Sequence, residues 1–265
     1  MRTLLALTIA VAVLVSIGSP GEADATSGDE AAAAVPASAH NWTGLYAGAN
    51  IGYGWGWEAI RVSGDAGSTE AALRAGVLPR SLADGPDGII GGGQVGYNFQ
   101  ISRWVLGIET DLQGADISER ESVSTAVPGF FPYVTKASQT LDLLGTVRGR
   151  VGYAVTDPLL LYVTSGFAYG HVALSASALN PGCAGVCTDG STSALNAGWT
   201  IGAGLEYAFG RRWSLRAEYL YYDLGNRSTR LTDILGRSPG VFQTYSADFS
   251  SGIVRFGLNY RVFGP

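Results

Sequence analysis

Large apolar residues and charges occupy opposite parities of the same segments along this chain. From Leu141 to Tyr153, Leu141, Leu143, Val147, Val151 and Tyr153 fall on odd numbers, whereas Asp142, Arg148 and Arg150 fall on even ones. A strand sends successive side chains to opposite faces, so this segment has one apolar face and one charged face.

Seven further segments read the same way. Leu45, Ala47, Ala49, Ile51, Tyr53, Trp55 and Trp57 alternate with Tyr46, Gly48, Asn50 and a run of glycines. Val95, Tyr97, Phe99 and Ile101 alternate with Gln94, Gly96, Asn98 and Gln100. Trp104, Leu106, Ile108 and Leu112 oppose Glu109, Asp111 and Gln113. The segment from Leu159 to Val172 is apolar on both parities; Leu161, Val163, Phe167 and Tyr169 are assigned outward, Tyr162, Thr164, Gly166 and Gly170 inward. Trp199, Ile201, Leu205, Tyr207 and Phe209 oppose Thr200, Gly202, Gly204 and Glu206. Trp213, Leu215, Ala217, Tyr219 and Tyr221 oppose Arg216 and Glu218. Val254, Phe256, Leu258, Tyr260 and Val262 oppose Arg255, Asn259 and Arg261.

The connections have their own rhythm. Ser102-Arg103, Thr156-Asp157-Pro158 and Gly210-Arg211-Arg212 are short, whereas Glu58 to Gly88, Gly114 to Gln139, Ala173 to Ala197 and Gly225 to Ser250 are long. Short periplasmic turns alternating with long external loops characterise outer-membrane barrels. Tryptophans 42, 55, 57, 104, 199 and 213 stand near strand ends, where interfacial girdles are expected. A soluble β-sandwich would show similar alternation, but neither the loop rhythm nor the girdles. The pattern predicts an all-β fold, an eight-stranded antiparallel up-and-down transmembrane barrel over residues 41–265.

Composition sharpens this picture. Charged residues make up 15% of the 265, the net charge is −5, and Lys136 is the single lysine, so the dense basic face that nucleic acid needs is missing. The apolar run Leu4 to Ile17, then Gly18-Ser19-Pro20 and Ala23-Asp24-Ala25, predicts a signal peptide over residues 1–25, followed by a flexible lead-in over 26–40. The protein is expected to be exported through this leader to the cell outer membrane.

Several stretches then resemble a known family. Asn41-Trp42-Thr43-Gly44-Leu45-Tyr46-Ala47-Gly48 is similar to the opening strand of the alphaproteobacterial porin-like outer-membrane surface antigens. Gly198-Trp199-Thr200-Ile201-Gly202-Ala203-Gly204-Leu205-Glu206-Tyr207 and Glu218-Tyr219-Leu220-Tyr221-Tyr222-Asp223-Leu224-Gly225 resemble its sixth and seventh strands, and Val254-Arg255-Phe256-Gly257-Leu258-Asn259-Tyr260-Arg261 its last. The resemblance implies an OmpA-like barrel of eight strands, abundant at the cell surface. Such barrels end on an aromatic residue, whereas here Phe263 precedes Gly264-Pro265, so the insertion machinery is expected to read Phe263 in a shifted register.

Catalytic and cofactor chemistry find little support. Gly91-Gly92-Gly93-Gln94-Val95-Gly96 matches a dinucleotide fingerprint in letters, but a period-2 strand runs through it where a helix should begin. His171 has Ser165 and Ser175 nearby in sequence, without a motif that would make a nucleophile and base. Glu109 and Asp111 share a face like paired acids, but a glycosidase needs an open cleft between them. No catalytic, metal or cofactor site is assigned. Cys183 and Cys187 in an exported chain are expected to form a disulfide at a loop tip.

The sharpest constellation faces inward: Glu109, Asp111, Asp142, Glu206 and Glu218 with Arg148, Arg150, Arg216, Arg255 and Arg261. An eight-stranded barrel has room only for its own side chains, so these five acids and five arginines are expected to pair as a lumen charge network. Replacing Arg148 and Arg150 with alanine is then expected to open a cation-selective path. Three functions compete: a structural envelope protein with a salt-bridged lumen, a narrow passive porin for small solutes, and an adhesin or haem-type ligand binder. For the last, Arg61, Arg74 and Arg80 among Leu73, Val77 and Leu78 of the first long loop are the natural surface. Outer-membrane lipid, the barrel-insertion machinery and a host or small-molecule ligand at the external loops are the partners implied.

Overall fold

Alternation of this kind can satisfy every backbone group in lipid only if the sheet closes on itself. The structure, a computed structural model, describes residues 40–56, 59–64, 67–82, 85–126, 132–180, 185–233 and 243–264. Its elements in chain order are β1 (Gly44–Gly56), β2 (Ile60–Gly64), α1 (Gly67–Arg74), β3 (Ser81–Leu82), β4 (Asp87–Ile101), β5 (Trp104–Thr125), β6 (Tyr133–Thr156), β7 (Leu159–Asn180), β8 (Gly185–Phe209), β9 (Trp213–Asp233) and β10 (Gln243–Phe263). Eight of these strands form an antiparallel ring, β1-β4-β5-β6-β7-β8-β9-β10, and β10 pairs back onto β1 to close it. The two short strands β2 and β3 add to the far end of β10.

Short turns sit at one end of the ring. Ser102 takes a left-handed φ of 56° in the two-residue link from Ile101 to Trp104, and Gly210 a φ of 72° before Trp213, as tight hairpins require. That end carries the aromatic pairs Trp104–Tyr153 and Trp213–Tyr260, with ring centroids 5.2 and 4.8 Å apart. The other carries Trp55–Tyr219 at 6.2 Å and Trp199–Tyr221 at 5.4 Å. Between these two girdles Ile51, Val95, Ile108, Val163, Ile201 and Phe256 face outward and are exposed. Outward in a transmembrane barrel means toward lipid.

Val147 is such a residue, 44% exposed in the outward band. Val147→Arg is expected to cost about 2–4 kcal/mol in unfolding from vesicles, and Val147→Leu almost nothing. Equal stability of both variants would reverse the assignment of faces.

Two expectations change. The long connections after β5, β7 and β9 are mostly strand: β5 continues to Thr125, β7 to Asn180 and β9 to Asp233, pairing well beyond the upper girdle. Serine, threonine and alanine there leave no apolar alternation to read. Trp42 is also displaced. Rather than joining a girdle, it is 5% exposed inside the periplasmic mouth, packed with Val105, Ala154, Leu160 and Ala208. The backbone NH of Trp42 donates to Gln100 Oε1 at 2.7 Å, and that of Gln100 to Thr43 Oγ1 at 3.0 Å, so the segment before β1 is strapped across the opening. The expected leader, nearly all of the lead-in, Trp57 and Cys183 lie outside the described residues, as does the side chain of Cys187.

Candidate functional site

Inward positions of the ring between the girdles bring eight of the ten predicted charges together. Glu109, Asp111, Arg148, Arg150, Glu206, Arg216, Glu218 and Arg255 are all 3% exposed or less. Arg148 is the hub. Its guanidinium donates to Glu109, to Asp111 Oδ2 at 2.8 Å and to Glu218 Oε1 at 3.1 Å. Arg255 donates Nε to Glu218 Oε2 at 2.6 Å and Nη2 to Asp111 Oδ2 at 3.0 Å. Arg216 Nη1 reaches Glu109 Oε2 at 2.5 Å. Arg150 Nη2 reaches Glu206 Oε2 at 2.5 Å, while Glu206 Oε1 accepts from Ser214 Oγ at 2.5 Å and Asn259 Nδ2 at 2.9 Å.

The other two charges lie elsewhere. Asp142 sits on the outer surface, where its Oδ1 meets His171 Nδ1 at 2.8 Å. The cause is a register shift between Leu141 and Leu143 against β7. One extra residue there reverses which face each side chain takes, so Leu141 turns inward and Asp142 outward. Arg261 lies near the end of β10, donating to the carbonyls of Asn41 and Arg211, where it helps hold the strap. Dropping one acid and one arginine leaves the set balanced at four of each, so no buried charge is left over.

Two tyrosines complete the network and were not singled out from sequence. Tyr46 Oη donates to Glu109 Oε2 at 2.5 Å and accepts from Arg150 Nη1 at 3.3 Å, joining the Arg150–Glu206 pair to the Arg148 hub. Tyr162 Oη donates to Glu218 Oε1 at 3.0 Å, and the Arg150 guanidinium lies 3.9 Å from the centre of its ring. Each is an aromatic on the charged parity of its strand, which is the signal that marks them. Glycines make their room: a Cβ on Gly96 or Gly204 would run into the hydroxyl end of Tyr46 or Tyr162. A neutral chain extends the network toward β1, from Asn259 through Gln94 (2.7 Å) to Asn50 (2.6 Å).

Apolar layers bound the charges on both sides. On the periplasmic side stands the Trp42 cluster. Beside it a cavity of about 20 Å³, lined by His40, Trp42, Asn98, Glu206 and Arg261 among others, has room for about one water molecule. On the outer side Ile90, Ile117, Leu144, Leu174, Leu220, Leu224, Tyr245 and Ile253 fill the lumen. Loop residues close the top of this layer: Ile60 and Val62 of β2, Leu73 of α1, Leu78 and Leu82 pack into the same core. Arg61, Arg74 and Arg80 remain at the surface, with Arg61 paired to Asp248 at 3.5 Å, and Arg74 and Arg80 to Glu70 at 3.0 and 3.7 Å.

The remaining chemistry-bearing residues fall in plain settings. Gly91 to Gly96 lies within the single strand β4. Ser175 Oγ lies 2.9 Å from Ser138 Oγ, and the contact His171 makes is with Asp142. Among the described residues no group of three or more His, Cys, Asp or Glu could hold a metal ion.

Comparison with known proteins agrees with the barrel fold. The chain is 38% identical over 230 residues to the 31 kDa outer-membrane immunogenic protein of Brucella melitensis, covering 86% of this chain and 87% of that one. It is 28% identical over 264 residues to the 25 kDa outer-membrane immunogenic protein of Brucella abortus, covering 98% and 100%. The crystal structure of the Pseudomonas aeruginosa outer membrane protein OprG superposes with a TM-score of 0.50 at 12% identity, covering 85% of this chain and 99% of that one, a likeness of fold. The family model described as the outer membrane protein beta-barrel domain matches residues 31–261, and the chain belongs to that family, seated in the outer membrane among relatives named for their immunogenicity.

Proposed function

We propose that this protein is a closed structural barrel of the outer membrane that presents its extended strands and loops at the cell surface, and is neither an open pore nor an enzyme. The observation that carries this reading is the stacking in the lumen. A balanced charge layer lies between the apolar Trp42 cluster and the apolar core that β2, α1 and β3 cap. Water that entered from the outer side would meet packed hydrocarbon before it met a charge, and the cavity on the periplasmic side has room for about one water molecule beside Glu206, with the salt-bridged layer and the outer core behind it; this weighs against the narrow porin. Burial of Leu73 and Leu78 likewise removes apolar residues from a ligand surface on the first loop, which weighs against a haem-type site there.

The same reading includes export through residues 1–25, a lead-in over 26–40, recognition of Phe263 by the insertion machinery, and a Cys183–Cys187 disulfide that pins an external loop. A strain lacking the protein tests the envelope role. It should become sensitive to detergent and to chelators of divalent cations while taking up small hydrophilic solutes at the normal rate. An intact envelope with slowed uptake would favour the porin instead.

A further inference from the structure

The short-turn end of the barrel is cationic, although the chain as a whole carries a net charge of −5. Among the described residues its turns and the end of β10 hold Arg103, Arg211, Arg212 and Arg261 against one acid, Asp157. Three of these arginines gather on one side. The backbone NH of Arg261 donates to the carbonyl of Arg212 at 2.8 Å, and its guanidinium donates to the carbonyl of Arg211. Arg103 stands apart, on the turn between β4 and β5, with β6, β7 and β8 between it and the turn that carries Arg211 and Arg212.

No carboxylate among the described residues pairs with Arg211, Arg212 or Arg261. Glu206 lines the same small cavity as Arg212 and Arg261, but its oxygens are taken by Arg150, Ser214 and Asn259. Asp157 belongs to the neighbouring turn, whose Pro158 carbonyl accepts from the NH of Ala208 at 2.8 Å. Arg212 is held in place by an aromatic residue instead. Its Nη1 donates to Tyr260 Oη at 2.9 Å, and its guanidinium lies 5.9 Å from the centre of that ring. This hydrogen bond uses one N–H of a fork that has five. Arg211 is exposed beside it on the same turn. Like charges gathered without a carboxylate repel one another, and an anion seated between them removes that repulsion. Guanidinium forks match phosphate, taking its oxygens in pairs.

Position decides which phosphate. Tyr260 pairs with Trp213 in the lower girdle, and Trp213 is 43% exposed on the outward face. Girdle aromatics sit at the level of the lipid headgroups, so the turn just beyond them stands among the phosphates of the periplasmic leaflet. Two adjacent forks, with a third guanidinium behind them, suit a lipid that carries two phosphates on one headgroup. Basic pockets against membrane-spanning segments select such lipids. We infer that Arg211 and Arg212, backed by Arg261 and bordered by Trp213 and Tyr260, bind the two phosphates of a diphosphatidylglycerol in the periplasmic leaflet of the outer membrane. This rests on the outer-membrane seat of the barrel and not on closure of its lumen, so a conducting barrel would leave it intact.

The test is native mass spectrometry of the refolded full barrel, released from detergent micelles doped with known amounts of each lipid. Wild type should retain one diphosphatidylglycerol and prefer it at least tenfold over phosphatidylethanolamine. Arg211→Ser with Arg212→Ser should weaken that binding at least tenfold, and Arg103→Ser less than twofold. All variants should keep the gel shift of a folded barrel. A double variant that loses this shift is replaced by Arg212→Lys, which keeps the charge without the fork and should weaken binding at least threefold. No preference between the two lipids, or equal loss in Arg103→Ser and the double variant, would overturn the proposal. Free pyrophosphate that binds wild type as tightly as the lipid would assign the arginines to a soluble anion. A carboxylate-bearing cell-wall peptide that binds as tightly would assign them to the wall, and either result would overturn the commitment to a lipid.

Discussion

Arg148→Ala should be among the most damaging single substitutions in the barrel, lowering its unfolding free energy by about 3–5 kcal/mol. Its guanidinium contacts Glu109, Asp111 and Glu218, and its removal leaves four buried carboxylates against three arginines. Glu109, Asp111 and Glu218, each 3% exposed, cannot recover a lost partner from bulk water. Asp111→Asn in the same chain restores neutrality and should recover part of the loss. Denaturant unfolding from vesicles, followed by tryptophan emission, measures both variants. Stability of Arg148→Ala within about 1 kcal/mol of wild type would show that the network is not what organises the lumen.

Those layers also change what the sequence alone suggests for the arginines. The sequence alone predicts that removing Arg148 and Arg150 opens a cation path, but the hydrocarbon of Leu144, Leu220 and Ile253 on one side and of Trp42 on the other remains in place. The double variant is now expected to lose stability and to stay closed.

Trp42→Ala is the second large effect, about 3–5 kcal/mol for a buried tryptophan that leaves a cavity among Val105, Ala154, Leu160 and Ala208. Loss of the ring also loosens the strap that Gln100 and Arg261 hold across the mouth. Hydrogen exchange should quicken at the periplasmic ends of β1, β4 and β10 and stay slow in the outer core. Uniform quickening along whole strands would mean that Trp42 supports the global fold and not a local closure. His40 belongs to the same mouth, where burial and the nearby Arg261 hold its pKa below the usual histidine value.

The barrel was legible wherever one parity carried charge. Glu109 and Asp111 on β5, Arg216 and Glu218 on β9, and Arg255 on β10 each declare their face against a run of large apolar neighbours. Even the ambiguous β7 has Leu161, Val163 and Phe167 outward as read. Asp142 failed because period-2 reading assumes an unbroken register, and a single extra residue at Leu141–Leu143 inverts everything beyond it. Trp42 failed for another reason: it precedes β1, so no alternation assigns it a face, and tryptophans near strand ends suit a girdle or a stopper equally. The extended outer strands were hidden by composition. Ser118 to Ser122 and Ser175 to Ala178 place small or polar residues on both faces, because water replaces lipid outside and the lumen beside β7 takes alanine. Tyr46 and Tyr162 were placed on the correct face, but nothing in their spacing says that a phenol will bridge two ion pairs.

Closure of the lumen is tested most directly by single-channel recording of the refolded full barrel in planar bilayers. The stacked layers predict a current that stays at the level of the protein-free membrane across the voltage range, for wild type and for the Arg148→Ala, Arg150→Ala double variant alike. A steady, reproducible conductance in wild type would contradict them.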